Sequence, residues 1–219
     1  MASVTEENYL KALFILVTER GMATISDLSK LLKVSLPTAN SMIKNLKKQE
    51  LVNYEKYKPL SLTEKGRREA ALVLRKHRLT EMFLVNEMGF GWEEVHEIAE
   101  QIEHINSPIF FDRMDKLMGH PTIDPHGSPI PDKDGHIAEE VYEQLSNCRT
   151  GEKVRLIALA HSASDFLRYL NNRDLSLGVE MRIVSIEAYD GSMVVSYDNH
   201  PAETLTHPVC EKLRVEKVD

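Results

Sequence analysis

The sequence has 219 residues, 42% hydrophobic and 28% charged, with a formal net charge of −7, the balance of a globular chain of one large or two to three small domains. No run approaches the roughly 18 apolar residues of a membrane span, and Glu6 and Glu7 precede the first apolar segment where a secretion signal would be basic, so a cytoplasmic protein is expected. Cys148 and Cys210 are too few for a disulfide framework and are expected as reduced thiols.

From Thr5 to Glu19 the residues Tyr9, Leu10, Leu13, Phe14, Leu16 and Val17 keep helical spacing. Two short helices with a tight break follow, the first carrying Ile25, Leu28, Leu31 and Leu32, the second Ala39, Met42, Ile43 and Leu46. Ser35 suits the N-cap of the second, and Pro37 its first turn, where a missing N–H costs nothing. This is a helix-turn-helix pattern. Val52 and Tyr54, then Leu60 and Leu62, alternate on either side of a polar tip, as in a two-stranded wing.

Thr63 caps a long helix running from Glu64 to about Met88, and after "GFGW" the stretch Val95 to His104 carries two stripes. Val95, Ile98, Ala99 and Ile102 make one apolar face, while His96, Glu100, Glu103 and His104 make a face of metal-capable side chains. A shorter helix is expected in "SPIFFDRMDKLMGH", then a Pro/Gly-rich connector over residues 119–135, then one more helix from His136 to Cys148. Beyond Thr150 the runs "EKVRLIALA", "VEMRIVSIEAY" and "SMVVSY" predict a small all-β barrel with one inserted helix.

Charge divides the chain unevenly. Residues 1–80 hold 15 Lys and Arg against 8 Asp and Glu, and the remainder holds 12 against 26. A basic head on an acidic body points to nucleic acid, the alternative being a helical interaction module whose lysines face water. Ser35, Pro37, Thr38, Asn40 and Ser41 lie at the leading end of the second helix, where base edges would be. Lys44, Lys47 and Lys48 further along, and Lys56 and Lys58 at the wing tip, suit phosphates.

His77 and Glu81 stand at i, i+4 on the long helix, so two helices together offer six N and O donors of the kind divalent metals require. Catalysis has no support. "HEIAE" loses the zincin pattern because Glu100 replaces the second His, the Glu-x-x-His of Glu93 to His96 has no second copy, and no phosphate loop or nucleophile elbow is present.

The order of winged helix, "LRKHRLTEMFL", "VHEIAEQIEHINS", "DPHGSPIP" and terminal β-rich segment resembles the diphtheria-toxin repressor family of metal-dependent transcriptional regulators over essentially the whole chain. The resemblance implies a mainly α, multi-domain protein: residues 1–63 a winged helix-turn-helix, 64–148 a helical dimerisation and metal-binding domain, 149–219 an SH3-like, FeoA-type barrel. It implies a homodimer whose Mn(II)- or Fe(II)-loaded form binds an inverted-repeat operator in double-stranded DNA and represses metal-uptake genes.

Carried over by position, an activating site would fall on Asn8, Glu100, Glu103 and His104. A second would fall on His77, Glu81 and His96, with His161 from the barrel and, as in streptococcal manganese-responsive relatives, Asp124 and His126 from the connector. Glu100 stands where iron-responsive members often have Cys, and its harder oxygen favours Mn(II), though Fe(II) accepts the same donors. Asn8 stands where manganese regulators place Asp and iron regulators Met; it offers one carbonyl oxygen and no charge. Without metal, the acidic cluster is expected to repel itself and loosen. A metal-storage or transfer protein with a winged-helix interaction domain is the alternative from another class; a sensor of an organic ligand would need an apolar pocket that nothing in the sequence suggests.

Overall fold

The computed structural model describes residues 3–56, 58–138, 142–160 and 162–218. Contacts divide the chain into two units, one of residues 1–83, 97–122 and 130–138, the other of residues 84–96, 123–129 and 139–219.

The first unit begins with α1 (Val4–Arg20), opened by a reciprocal cap between Ser3 and Glu6 and closed by Gly21 at φ 73°. Thr24 and Asp27 make the same reciprocal cap for α2 (Ile25–Leu31). The chain turns through Lys33 at φ 53° into α3 (Leu36–Lys48), whose N-cap Ser35 accepts from the Thr38 amide and whose first turn holds Pro37. Leu10, Leu13, Leu28, Ile43, Leu46 and Leu51 form a fully buried core among the three helices.

The wing, β1 (Val52–Asn53) and β2 (Ser61–Leu62), is antiparallel, with Val52 opposite Leu62 and Asn53 opposite Ser61. It is shorter than the alternation predicts because its flanking residues find other partners. The Tyr54 hydroxyl donates to Asn40 Oδ1, and the Leu60 amide donates to the Ala23 carbonyl.

α4 (Glu64–Met88) starts where expected. The Thr63 hydroxyl donates to the Glu50 carbonyl and accepts from the Gly66 amide, tying the helix start to the end of the helix-turn-helix. Gly66 makes this approach sterically feasible, since a Cβ there would meet the Leu51 carbonyl oxygen at 1.9 Å. α5 (His96–Ile102) is followed directly by Glu103, whose amide still donates to the Ala99 carbonyl, and then by α6 (Pro108–Leu117). Phe111 and Met114 of α6 pack on Leu79 of α4 and on Ile130.

The second unit is built on one antiparallel sheet. Its strands are β3 (Glu143–Gln144), β4 (Lys153–Leu159), β5 (Glu180–Ile186), β6 (Met193–Tyr197), β7 (His200–Leu205) and β8 (Leu213–Lys217), in the order β3-β8-β4-β5-β6-β7. Val154, Leu156, Met181, Ile183, Met193 and Val195 alternate inward against α7 (Ser164–Asn171), which contributes Leu167 and Leu170, and α8 (His207–Cys210) adds Cys210. Both thiols are buried and free, and burial pushes each up to about 11, so neither is poised to react.

Two expectations change here. The ladder has β3 and β7 at its edges and is not closed among the described residues, so it is an open sheet rather than a closed barrel. The helix expected from His136 to Cys148 is absent from its described part. Glu143 and Gln144 pair instead with Val215 and Arg214, and residues 145–147 form one 3₁₀ turn. Ladder bonds to a strand some seventy residues away outweigh local helical preference. The connector holds no helix or strand, as predicted, but it is ordered by aspartates: Asp124 Oδ1 accepts from the His126 and Ser128 amides, and Asp132 Oδ1 from those of Asp134 and His136.

Replacing Gly66 by Ala should force α4 off Leu51 and destabilise the first unit by about 1–3 kcal/mol, read as a lower midpoint in thermal or urea unfolding.

Candidate metal centre and nucleic-acid interface

The last turn of α5 faces α1. On α1 the residues Glu7, Asn8 and Lys11 share a face through i, i+3 and i, i+4 spacing. Lys11 is 6% exposed; its ammonium donates to Glu100 Oε1 at 2.5 Å and to Glu103 Oε2 at 2.8 Å. Glu103 has no exposed surface. Its Oε2 also lies 2.6 Å from His77 Nδ1, and its Oε1 lies 2.7 Å from Lys11 Nζ and 3.4 Å from His104 Nε2 without making a hydrogen bond to either. His104 Nδ1 is 2.6 Å from Glu7 Oε2.

His77 is held between two carboxylates, Glu103 on Nδ1 and Glu81 on Nε2 at 3.0 Å. Burial disfavours the charged ring, but the two carboxylates outweigh it and push His77 up to about 9. Burial likewise opposes the charge on Glu103, and His77 and Lys11 together hold its carboxyl below the usual range. A ring nitrogen of His77 must give up its proton before it can coordinate a metal.

The four residues of the expected activating site therefore lie on facing elements of one unit. One of their atoms, Asn8 Oδ1, is buried without a hydrogen bond, and Glu103 Oε1 is paired with the Lys11 ammonium. A buried acceptor without a donor suits a cation, and a set of carboxylate, amide and imidazole donors suits Mn(II) or Fe(II). The residues fit the metal.

His77 and Glu81 of the expected second site meet each other, and His77 meets Glu103, so Glu103 belongs to both groups. His96 is exposed at the start of α5. Asp124 and His126 are buried in the second unit. There the His126 ring stacks on Trp92 and its Nε2 lies 2.9 Å from the Trp92 carbonyl, which can only accept. Gly127 holds this loop against β4, since a Cβ there would meet the Ile157 carbonyl oxygen at 2.2 Å. His161 lies outside the described residues.

Glu7 and Lys11 were not legible as site residues. On an amphipathic helix a Glu and a Lys at i, i+4 read as a solvated ion pair, and only the packing of α5 on α1 turns both inward. The expectation of an uncompensated acidic cluster is corrected accordingly, because Lys11 and protonated His77 place positive charge among its carboxylates.

On the DNA-reading side, Ser35, Pro37, Thr38, Ser41, Lys44, Lys47 and Lys48 are exposed along α3, and Asn40 is half-buried. Lys47 donates to the Tyr54 carbonyl and Lys58 pairs with Glu55, so both are braced against the wing. Lys56 is exposed at the wing tip. Asn45 and Gln49, which the sequence reading did not single out, both donate to Glu6 Oε1 and so fasten the end of α3 to the start of α1.

Comparison with known proteins gives the same division of labour. Residues 1–60 match the family "Iron dependent repressor, N-terminal DNA binding domain", residues 63–132 match "Iron dependent repressor, metal binding and dimerisation domain", and residues 143–217 match the FeoA domain. The iron-dependent repressor IdeR of Mycobacterium leprae is 29% identical over 224 residues, covering 98% of this chain and 97% of the relative. The HTH-type transcriptional regulator MntR of Geobacillus kaustophilus is 35% identical over 118 residues, covering 54% and 83%. Among solved structures, a manganese-dependent transcriptional repressor in complex with manganese superposes with a TM-score of 0.87 at 32% identity, covering 97% of this chain and 99% of that one. These relatives are regulators rather than enzymes or storage proteins. With its reading head, its metal-capable cluster and its β-rich C-terminal segment in the same order as theirs, the chain belongs to the diphtheria-toxin repressor family and is a metal-dependent, DNA-binding transcriptional repressor that acts as a homodimer.

Proposed function

We propose that Asn8, Glu100, Glu103 and His104 hold Mn(II) or Fe(II) as co-repressor, and that occupancy sets the chain for an inverted-repeat operator of metal-uptake genes. The observation that carries this reading is the convergence of α1 and α5 on one buried carboxylate, Glu103. A divalent cation bound there would be held by donors from both helices. Because α1 is part of the helix-turn-helix core, the angle at which α3 is presented depends on what those donors are holding. A ligand shifts such an equilibrium by its differential affinity for the two arrangements, and about 100-fold corresponds to about 2.7 kcal/mol.

His77 and Glu81 are proposed as ligands of a second site. The family resemblance adds His96, Asp124, His126 and His161 as further candidates. The harder oxygen of Glu100 inclines the choice of metal to Mn(II). We assign residues 1–63 to DNA reading and 64–148 to metal binding and dimerisation. Residues 149–219 are assigned to an SH3-like domain whose sheet is not closed among the described residues. A regulator of chromosomal promoters works in the cytoplasm. Ile105, Ile109, Phe110 and Leu117, exposed around α6, supply apolar surface for the second protomer.

Two recognition helices in such a dimer would lie about 34 Å apart, one DNA turn, or a multiple of it. Base edges would meet Ser35, Thr38, Asn40 and Ser41, while phosphates would meet Lys44, Lys48 and Lys56.

Removing metal with a chelator should weaken operator binding on the order of 100-fold in fluorescence anisotropy, with recovery on adding Mn(II), and Glu103→Gln should abolish the recovery while circular dichroism stays folded. Unchanged affinity across the titration would reject the co-repressor role. Lys44→Ala should weaken specific and non-specific DNA alike and lower the slope of log affinity against log salt by about 1. Leu117→Glu should shift the protein from dimer toward monomer in analytical ultracentrifugation, and a persistent dimer would place the interface elsewhere.

A further inference from the structure

We propose that Lys11 is a built-in competitor of the co-repressor metal: its ammonium holds the position between Glu100 and Glu103, so metal loading is an exchange of one cation for another. The inference rests on the metal-site reading above and concerns a residue that reading does not use.

Lys11 is not a surface pair. It is nine-tenths buried, one helical turn from Asn8, with Nζ 2.5 Å from Glu100 and 2.7 Å from Glu103. These two carboxylates are the anionic members of the donor set assigned to the metal, and Lys11 reaches both. Glu103 is fully buried and Glu100 partly exposed; two carboxylates at such close range repel unless a cation stands between them, and a buried lysine is stable only if its charge is matched. Each group therefore needs the other when no metal is present. His77 shares Glu103 and is engaged on its other nitrogen by Glu81.

Two effects on the metal follow from this placement. The free protein keeps α1 joined to α5 through the lysine, so its donors stay gathered. The same bond must be broken before both carboxylates can turn to a metal, which raises the metal concentration needed for loading by the factor with which the lysine-bound form is favoured. Lys11 thereby sets the threshold of the sensor. A lysine that merely aimed the carboxylates at the metal would act in the opposite direction, strengthening binding.

The test is Mn(II) binding to the full-length protein, measured by the electron paramagnetic resonance signal of free Mn(II), for wild type, Lys11→Met and Lys11→Gln. Methionine keeps an unbranched side chain one atom shorter and removes its charge; glutamine covers the case in which Lys11→Met fails to fold. The expected result is tighter Mn(II) binding by about tenfold or more, together with a lower thermal midpoint for the metal-free variant and a larger rise on adding Mn(II) than wild type shows. Adding His104→Ala to the Lys11 variant should remove the tightened binding, locating it at this site. Unchanged or weaker binding in both Lys11 variants would overturn the proposal. Wild type that binds no Mn(II) or Fe(II) would instead overturn the metal-site reading beneath it.

Discussion

A carboxylate without solvent is the constraint around which the first unit is organised. Glu103 is fully buried, and an ionised group there is tolerable only when cations and donors reach it from its surroundings. It receives Lys11 from α1 and His77 from α4 while sitting at the end of α5. Three helices far apart in the chain are therefore fixed to one another through a single side chain. Apolar packing surrounds this point without replacing it, since Leu10 and Leu13 of α1 bury their stems on the opposite face, against α2 and α3.

That arrangement gives the site a mechanical route to the DNA-reading face. α1 is gripped at Glu103 through Lys11 and at α3 through Glu6, which accepts from Asn45 and Gln49. Glu6 and Lys11 are five residues apart on one helix, less than two turns. A change in what Glu103 holds is thus applied to the same rigid rod whose other bonds position the recognition helix. The wing adds a second brace, with Lys47 and Asn40 of α3 bonded to Tyr54. Of the leading residues of α3 the braces engage Asn40, while Thr38 and Ser41 stay exposed.

How much of this could be read beforehand depended on whether the signal was local. Caps and periodicity are local, and Ser35, Thr63 and the apolar spacing of α1, α3 and α4 placed those helices within a residue or two. The stripe at α5 was legible as chemistry, although one of its two carboxylates, Glu103, is its most buried member, which hydropathy would not suggest. What escaped was decided by distant partners. β3 is a strand because β8 runs beside it, the alternation in β7 and β8 is too short to mark them alone, and Lys11 joins the site only because α5 packs on α1. The order imposed on the connector by Asp124 and Asp132 was hidden in the same way, because a Pro/Gly-rich composition rules out helix and strand but says nothing about side chains that bind their own backbone.

Charge accounting explains why a neutral Asn8 and a cationic Lys11 belong together. Glu100 and Glu103 carry two negative charges, which one divalent cation would balance, with Asn8 and His104 adding neutral donor atoms. An aspartate at position 8 would add a third charge, leaving room for a lysine to remain beside a bound metal. With asparagine there is no such surplus, and a lysine retained between the same two carboxylates would leave the cluster around buried Glu103 with excess positive charge. Glu7, bonded to His104 and 4.0 Å from Lys76, is partly exposed and already engaged, so it makes up little of the difference. Electrostatics thus favours two exclusive states for Glu100 and Glu103, one holding the lysine and one holding the metal, and a repressor that must distinguish scarcity from sufficiency requires two such states.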